Sequence, residues 1–246
     1  WIETDSKIIE KILKDVNCVI NLCGILYENR TGDFDRVHSE LPSLLGELCL
    51  KNNIETFIHV SALGVSEFSD SKYSRSKAIG DKRLLENFPK AKILRPSLLF
   101  GKGDNFFGQF SKMSSISPAL PLISKNTRFQ PIFVDDVVLA IIKLISNKDI
   151  KGNIFEIGGK FAYTFEELLK ILLDIKNIKR LLIPLSPNLM IFPAFFLQLL
   201  PKPPFTVDQM KLLRKDNILN GKHPGLEALD IKATSMKKEL TKIYKN

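Results

Sequence analysis

Short apolar runs alternate with amphipathic stretches of helical length along most of this chain, and that alternation narrows the fold more than any motif does. Cys18-Val-Ile-Asn-Leu-Cys23, closing at Gly24, reads as a buried strand. Phe34, Val37, Leu41, Leu44, Leu45 and Leu48 then recur at helical spacing, and Pro42 is expected to kink or restart that helix. Thr56-Phe-Ile-His-Val-Ser61 is a second strand, and Ser71 to Asn87 the next helix. Lys92-Ile-Leu-Arg-Pro96 is a third strand, followed by a glycine-bearing loop and a helix from about Asn105 to Ser115. Ile132-Phe-Val134 is a short extended piece, with Asp135 and Asp136 expected to cap the helix after it. Asn153 to Ile157 reads as another strand, and Thr164-Phe-Glu-Glu167 as a capping box opening a helix. This order predicts a parallel sheet with right-handed crossovers. After about Lys176 the strands stop and prolines multiply. The expectation is an α/β fold with a doubly wound parallel sheet over residues 1–160, and a small, mostly helical lobe over 161–246.

Composition excludes several functions. Of 246 residues, 44% are hydrophobic and 26% charged, enough to fill the core of one α/β domain with a small lobe. Cys18, Cys23 and Cys49 form no C-x-x-C pair, which suits a reducing, cytoplasmic compartment. His38, His59 and His223 are scattered without metal-ligand spacing, so no metal is expected. The net charge of +9 favours anionic partners, but the basic C-terminal stretch interleaves no aromatics for base stacking, and nucleic acid is not expected. No charged residue falls between Leu181 and Pro201, a run long enough to suggest a membrane span. Pro184, Pro187 and Pro193 interrupt it, so a lobe helix with an apolar face is preferred and shallow contact with a membrane surface comes second.

Tyr73-Ser-Arg-Ser-Lys77 places a phenol and an ammonium four residues apart, on one face of the Ser71–Asn87 helix. A neighbouring cation favours the phenolate, so a lowered tyrosine pKa is expected, fit for general acid/base work on a carbonyl or alcohol. In an open parallel sheet, ligands bind beyond the carboxyl ends of the strands. The expected strands end in Asn21-Leu-Cys-Gly24, Ser61-Ala-Leu-Gly64 and Arg95-Pro-Ser-Leu-Leu-Phe-Gly101. The helix carrying Tyr73 and Lys77 follows the second of these.

With these segments, and with Arg128-Phe-Gln-Pro-Ile-Phe-Val-Asp-Asp136, the chain resembles the extended and atypical short-chain dehydrogenase/reductases, the NAD-dependent epimerase/dehydratase group. Within it, the chain is most similar to the branch holding the nucleotide-binding accessory subunit of respiratory complex I and its bacterial relatives. The resemblance is strong from about Val16 to Gly159 and implies a Rossmann-like sheet whose first strands are missing from this chain. It assigns proton exchange to Tyr73, ribose binding and phenol tuning to Lys77, and the orienting hydroxyl to Ser61. Asn21, Leu22, Cys23 and Gly24 would lie along the cofactor, and Pro96, Ser97, Leu98 and Leu99 would face the nicotinamide. The implied cofactor is a nicotinamide dinucleotide, NADP(H) rather than NAD(H).

Two departures qualify the assignment. Such epimerases usually carry a second hydroxyl at the second strand tip, where this chain has Ala62. A glycine-rich phosphate loop is absent, and Gly101-Lys-Gly-Asp-Asn-Phe106 imitates one without its third glycine and after a late strand. The favoured expectation is a dinucleotide-binding accessory or assembly factor of complex I, or of quinone metabolism, peripheral to the inner membrane and weak or inactive in catalysis. An active reductase, epimerase or dehydratase using Tyr73 and Lys77, and an NADPH-sensing regulator, are the competing expectations. His38 and His59 are expected to pack rather than transfer protons, and Arg128 to touch an anion or lie at the surface.

Overall fold

Four parallel strands form the central sheet in a computed structural model that describes residues 5–198, 200, 203 and 205–245. In chain order the elements begin α1 (Ser6–Ile12), β1 (Cys18–Asn21), α2 (Asp33–Asp35), a π-helical turn (Arg36–Glu40), α3 (Leu41–Lys51), β2 (Thr56–Val60) and α4 (Lys72–Asn87). They continue with β3 (Lys92–Pro96), β4 (Leu99–Phe100), α5 (Asn105–Ile116), β5 (Ala119–Ile123), β6 (Arg128–Phe129), β7 (Ile132–Phe133), α6 (Val134–Ser146) and β8 (Ile154–Ile157). The chain closes with β9 (Tyr163–Thr164), α7 (Phe165–Ile175), β10 (Leu181–Leu185), α8 (Pro187–Leu197), α9 (Val207–Leu212), a 3-10 turn (Leu226–Leu229) and α10 (Met236–Tyr244).

The sheet order is β1-β2-β3-β8, with Asn21 beside His59, His59 beside Ile93 and Leu94 beside Phe155. Alternate side chains leave a strand on opposite faces. Phe57 and Ile93 therefore pack with Leu48, Leu84 and Phe88 beneath α3 and α4, while Ile58, Leu94 and Phe155 pack with Val137, Ala140 and Leu144 of α6. Both faces are covered, as a parallel sheet requires.

Pro42 behaves as its position suggests. The π-helical turn ends at Glu40 and runs without a break into α3, so Pro42, which has no N–H to give, falls where the helix passes from π to α hydrogen bonding. Thr164 and Glu167 complete the expected capping box, with Thr164 N donating to Glu167 Oε2 at 2.7 Å and Glu167 N to Thr164 Oγ1 at 3.2 Å. Asp135 and Asp136 do not cap α6. They lie in its first turn, and Asp136 is buried to accept from Thr234 N at 2.8 Å and Oγ1 at 2.6 Å.

Strands do not stop at Lys176. Leu181–Leu185 pairs in parallel with Ala119–Ile123 as a second, two-stranded sheet. Pro184 marks this run as a poor central strand, but in a two-stranded pair its lost donor is tolerated at the free edge. Around this pair a second core gathers Phe107, Phe110 and Leu120 with Phe165, Leu168, Leu172, Met210 and Leu240. Residues on both sides of 160 build it, while Leu226 and Leu229 pack with the main sheet. The far end of the uncharged run, Pro201, lies outside the described residues, as does Trp1.

Candidate dinucleotide site

Leu22, Cys23, Gly24, Ile25, Leu26, Val60, Ser61, Tyr73 and Lys77 line a pocket of about 180 Å³ beyond the carboxyl ends of β1 and β2. A larger hollow, about 270 Å³, lies in the second lobe between Leu122, Lys125 and Leu185 and holds no acid/base group other than Lys125.

Lys77 Nζ stands 5.8 Å from the centre of the Tyr73 ring and donates to the Val60 carbonyl at 3.4 Å. The cation beside the phenol does not lower its pKa. Burial, seconded by the Asp81 charge, holds the Tyr73 phenol above its ordinary value, and burial lowers Lys77 to about 8. Desolvation disfavours the charged form of each, moving an acid up and a base down. The expected phenolate is thus corrected: at neutral pH Tyr73 keeps its proton.

His38 lies under Tyr73, ring edge to ring face with centroids 5.2 Å apart, and stacks on Phe34. Its Nε2 accepts from Ile25 N at 3.0 Å, and its Nδ1 meets Ser76 Oγ at 3.0 Å while that hydroxyl donates to Tyr73 O. Those partners select the neutral ring with the proton on Nδ1, and burial with the Lys77 charge lowers its pKa to about 3. His38 is a strut between the β1 loop and α4.

Asn21 is buried and does not line the pocket; its Oδ1 accepts from Cys23 N at 3.0 Å while Nδ2 has no hydrogen-bond partner among the described residues. Ser61 is buried, with its hydroxyl beside the Asp81 carboxylate but without a well-formed hydrogen bond among the described residues. Asp81 itself accepts from Arg95 Nε at 2.8 Å, and His59 Nε2 lies 3.6 Å away; burial lowers His59 to about 3. His59 is a core residue, as its mid-strand position suggests.

Pro96, Ser97, Leu98 and Leu99 do not line this pocket. The Pro96 carbonyl accepts from Leu63 N at 2.9 Å, and Ser97 Oγ is committed to Asn217, donating toward its carbonyl at 2.9 Å and Oδ1 at 2.7 Å. Leu98 O accepts from Ile132 N, and Leu99 pairs with Ile132 in the β4–β7 sheet. Arg128 is likewise taken, bound to Asp216 through Nε at 2.9 Å and a terminal nitrogen at 2.7 Å. The Gly101–Phe106 loop holds no anion cradle, because Asp104 already accepts from Phe107 N at 2.6 Å at the start of α5.

The pocket has room for part of a dinucleotide and not for the whole. A Cβ on Gly24 would sit 3.6 Å from Lys77 Nζ and 3.8 Å from His38 Nε2, taking space from the pocket that Gly24 lines. Lys77 supplies the one cation on the pocket wall among the described residues. The pocket's volume is below the roughly 300–1,000 Å³ of a complete small-molecule site.

No family model matches the chain. It is 31% identical over 242 residues to NADH dehydrogenase (ubiquinone) 1 alpha subcomplex subunit 9 of Dictyostelium discoideum, a mitochondrial protein; the match covers 97% of this chain and 67% of that one. The chain belongs to the subunit 9 family. The mouse member is 32% identical over 241 residues, covering 96% of this chain and 63% of the mouse protein. This subunit 9 homologue thus spans about two thirds of its curated relatives' length. Its fold is shared with the solved structure of MoeE5 in complex with UDP-glucuronic acid and NAD: TM-score 0.71, 15% identity, 97% of this chain and 82% of that one.

Sequence reasoning placed Leu22 to Gly24, Ser61, Tyr73 and Lys77 around one space. It missed Ile25, Leu26 and Val60, their neighbours in the chain. It also missed Asp208, which accepts from Lys72 N and Tyr73 N at the start of α4, and Asn217, which holds Ser97 and Leu63 O; both lie more than 130 residues beyond Tyr73 and carry no local signal.

Proposed function

We propose that this protein is a dinucleotide-binding accessory or assembly subunit of respiratory complex I, with weak or absent catalysis. The observation that carries the reading is the 31% identity to subunit 9 over 97% of the chain. In this reading Lys77 holds the nicotinamide ribose, the Asn21–Gly24 turn runs along the cofactor, and the Pro96–Leu99 segment, outside the 180 Å³ pocket, lies toward the nicotinamide end. The dinucleotide would supply hydride-transfer capacity. Tyr73, protonated at neutral pH, can donate a hydrogen bond to a bound oxygen but is a poor base, and Ala62 offers no second hydroxyl; both support binding over turnover. NADP(H) is the proposed preference over NAD(H).

No described helix is long and apolar enough to cross a membrane. Peripheral contact with the inner membrane is proposed from the exposed Leu189, Phe192, Phe195 and Phe196 of α8.

The test uses the full-length protein, tagged and purified from its own cells. Complex I subunits should co-purify with it, and fluorescence titration should give saturable NADPH binding, tighter than NADH. Absence of both complex I subunits and nucleotide binding overturns the proposal. An active reductase is the second reading, favoured by Tyr73 and Lys77 sharing one pocket. Substrate-dependent NADPH oxidation, abolished in Tyr73→Phe, would install it instead.

A further inference from the structure

The start of α4 is held by a residue from the other lobe. A helix leaves its first backbone donors without partners, and each must be accounted for. Here Ser71 N donates to Ser69 Oγ at 3.2 Å and Ser74 N to Ser71 Oγ at 3.2 Å. The two amides between them go to Asp208 of α9: Lys72 N to Oδ1 at 2.7 Å and Tyr73 N to Oδ2 at 3.1 Å. Ser71 Oγ also donates to Asp208 Oδ2 at 2.6 Å, and Lys211 Nζ, one turn along α9, donates to Asp70 O at 3.3 Å.

We propose that Asp208 is the positioning residue of the dinucleotide site, latching the second lobe to the helix that carries Tyr73 and Lys77. Its carboxylate takes the place at the positive end of α4 that a ligand anion could otherwise occupy. The bonds are charge-assisted, and one of them is made to the backbone of Tyr73 itself. A shift of α9 therefore moves the phenol directly and Lys77 one turn later. α9 is anchored on its own side by buried Met210 and by the Thr206–Gln209 capping box, so the latch transmits the position of the second lobe's core. Five to ten residues further on, the same segment is bonded to the loop before β6 and to the turn after β2. Leu213 O accepts from Thr127 Oγ1 at 2.6 Å, and Asn217 Nδ2 donates to Leu63 O at 2.9 Å. Lobe and groove are thereby coupled, and any change in one is felt by the other in both directions.

The inference rests on the nucleotide-binding reading for its consequence, but not for its geometry, and the experiment separates the two. Full-length wild-type protein is compared with Asp208→Asn, Asp208→Glu and, as a control on the same segment, Asp216→Asn. Amide hydrogen exchange read by mass spectrometry should rise about ten-fold at residues 72–75 in Asp208→Asn, with residues 80–87 and α9 unchanged. Asp208→Glu should restore most of the protection, and Asp216→Asn should leave it intact. NADPH should bind Asp208→Asn several-fold more weakly than wild type and bind Asp216→Asn equally well.

Unchanged exchange at 72–75 in Asp208→Asn overturns the latch. So does faster exchange spread over both lobes without rescue by glutamate, which marks general loosening. Wild-type protein that binds no NADPH removes the nucleotide reading, and the exchange data alone then decide for or against the latch.

Discussion

Tyr73 and Lys77 show how burial reverses a prediction made from spacing. Four residues apart on a helix, they meet as expected, yet burial disfavours the charged form of each. The lysine is the more informative of the two. Its ammonium, lowered to about 8, loses its proton within the range of ordinary buffers. A ligand that binds the protonated amine keeps full affinity below that value and loses it as pH rises through about 8. NADPH affinity should therefore fall between pH 7 and pH 9.5, by at most about ten-fold per unit. Lys77→Met should bind about ten-fold more weakly at pH 7 and show no such pH dependence. Fluorescence titration across the range checks both; a flat wild-type profile would take Lys77 out of the ligand contact.

At the scale of elements, the site depends on how closely α4 approaches the π-helical turn. Gly80 lies against that turn, where a Cβ would come 1.8 Å from the His38 carbonyl oxygen, a backbone atom that cannot swing aside. Gly80→Ala should cost about 3 kcal/mol or more. That lowers the thermal midpoint by roughly 6 °C or more in a chain of this size. Gly24→Ala meets only ordinary contacts and should melt like wild type, while NADPH affinity drops because the methyl group takes pocket space. Calorimetry and nucleotide titration on the two variants should separate the packing glycine from the ligand glycine. A π-helical turn next to a functional cleft is a familiar placement, and here it sets His38 beneath the phenol.

For the molecule as a whole, charge and apolar surface are segregated. The net charge of +9 is weighted toward the basic C-terminal stretch, while α8 shows Leu189 and Phe192 each 73% exposed, with Phe195 and Phe196 beside them. Contact with an anionic membrane uses both features. The full-length protein should co-sediment with vesicles of phosphatidylcholine and phosphatidylglycerol. Phe192→Asp combined with Phe196→Asp should reduce that binding about ten-fold or more, since each buried phenylalanine is worth roughly 1.5–3 kcal/mol. NADPH affinity should stay unchanged in the double variant. Equal sedimentation of both proteins would remove α8 from the membrane contact.

Local periodicity was enough for β1, β2, β3, α4 and the Thr164 cap, because strand alternation, helical spacing and capping chemistry act over a few residues. The shared space around Gly24, Ser61, Tyr73 and Lys77 followed from it, since strand ends and helix starts converge on one rim of a parallel sheet. Nothing local announces that Leu181–Leu185 is a strand, because its partner lies about sixty residues earlier and Pro184 argues against it. The same holds for Ser97, spent on Asn217, and for Asp208 at the start of α4. Protonation was equally out of reach. The sequence supplies the neighbour's charge, whereas only the packed tertiary structure decides how much water each group loses, and at Tyr73 that loss outweighs the cation beside it.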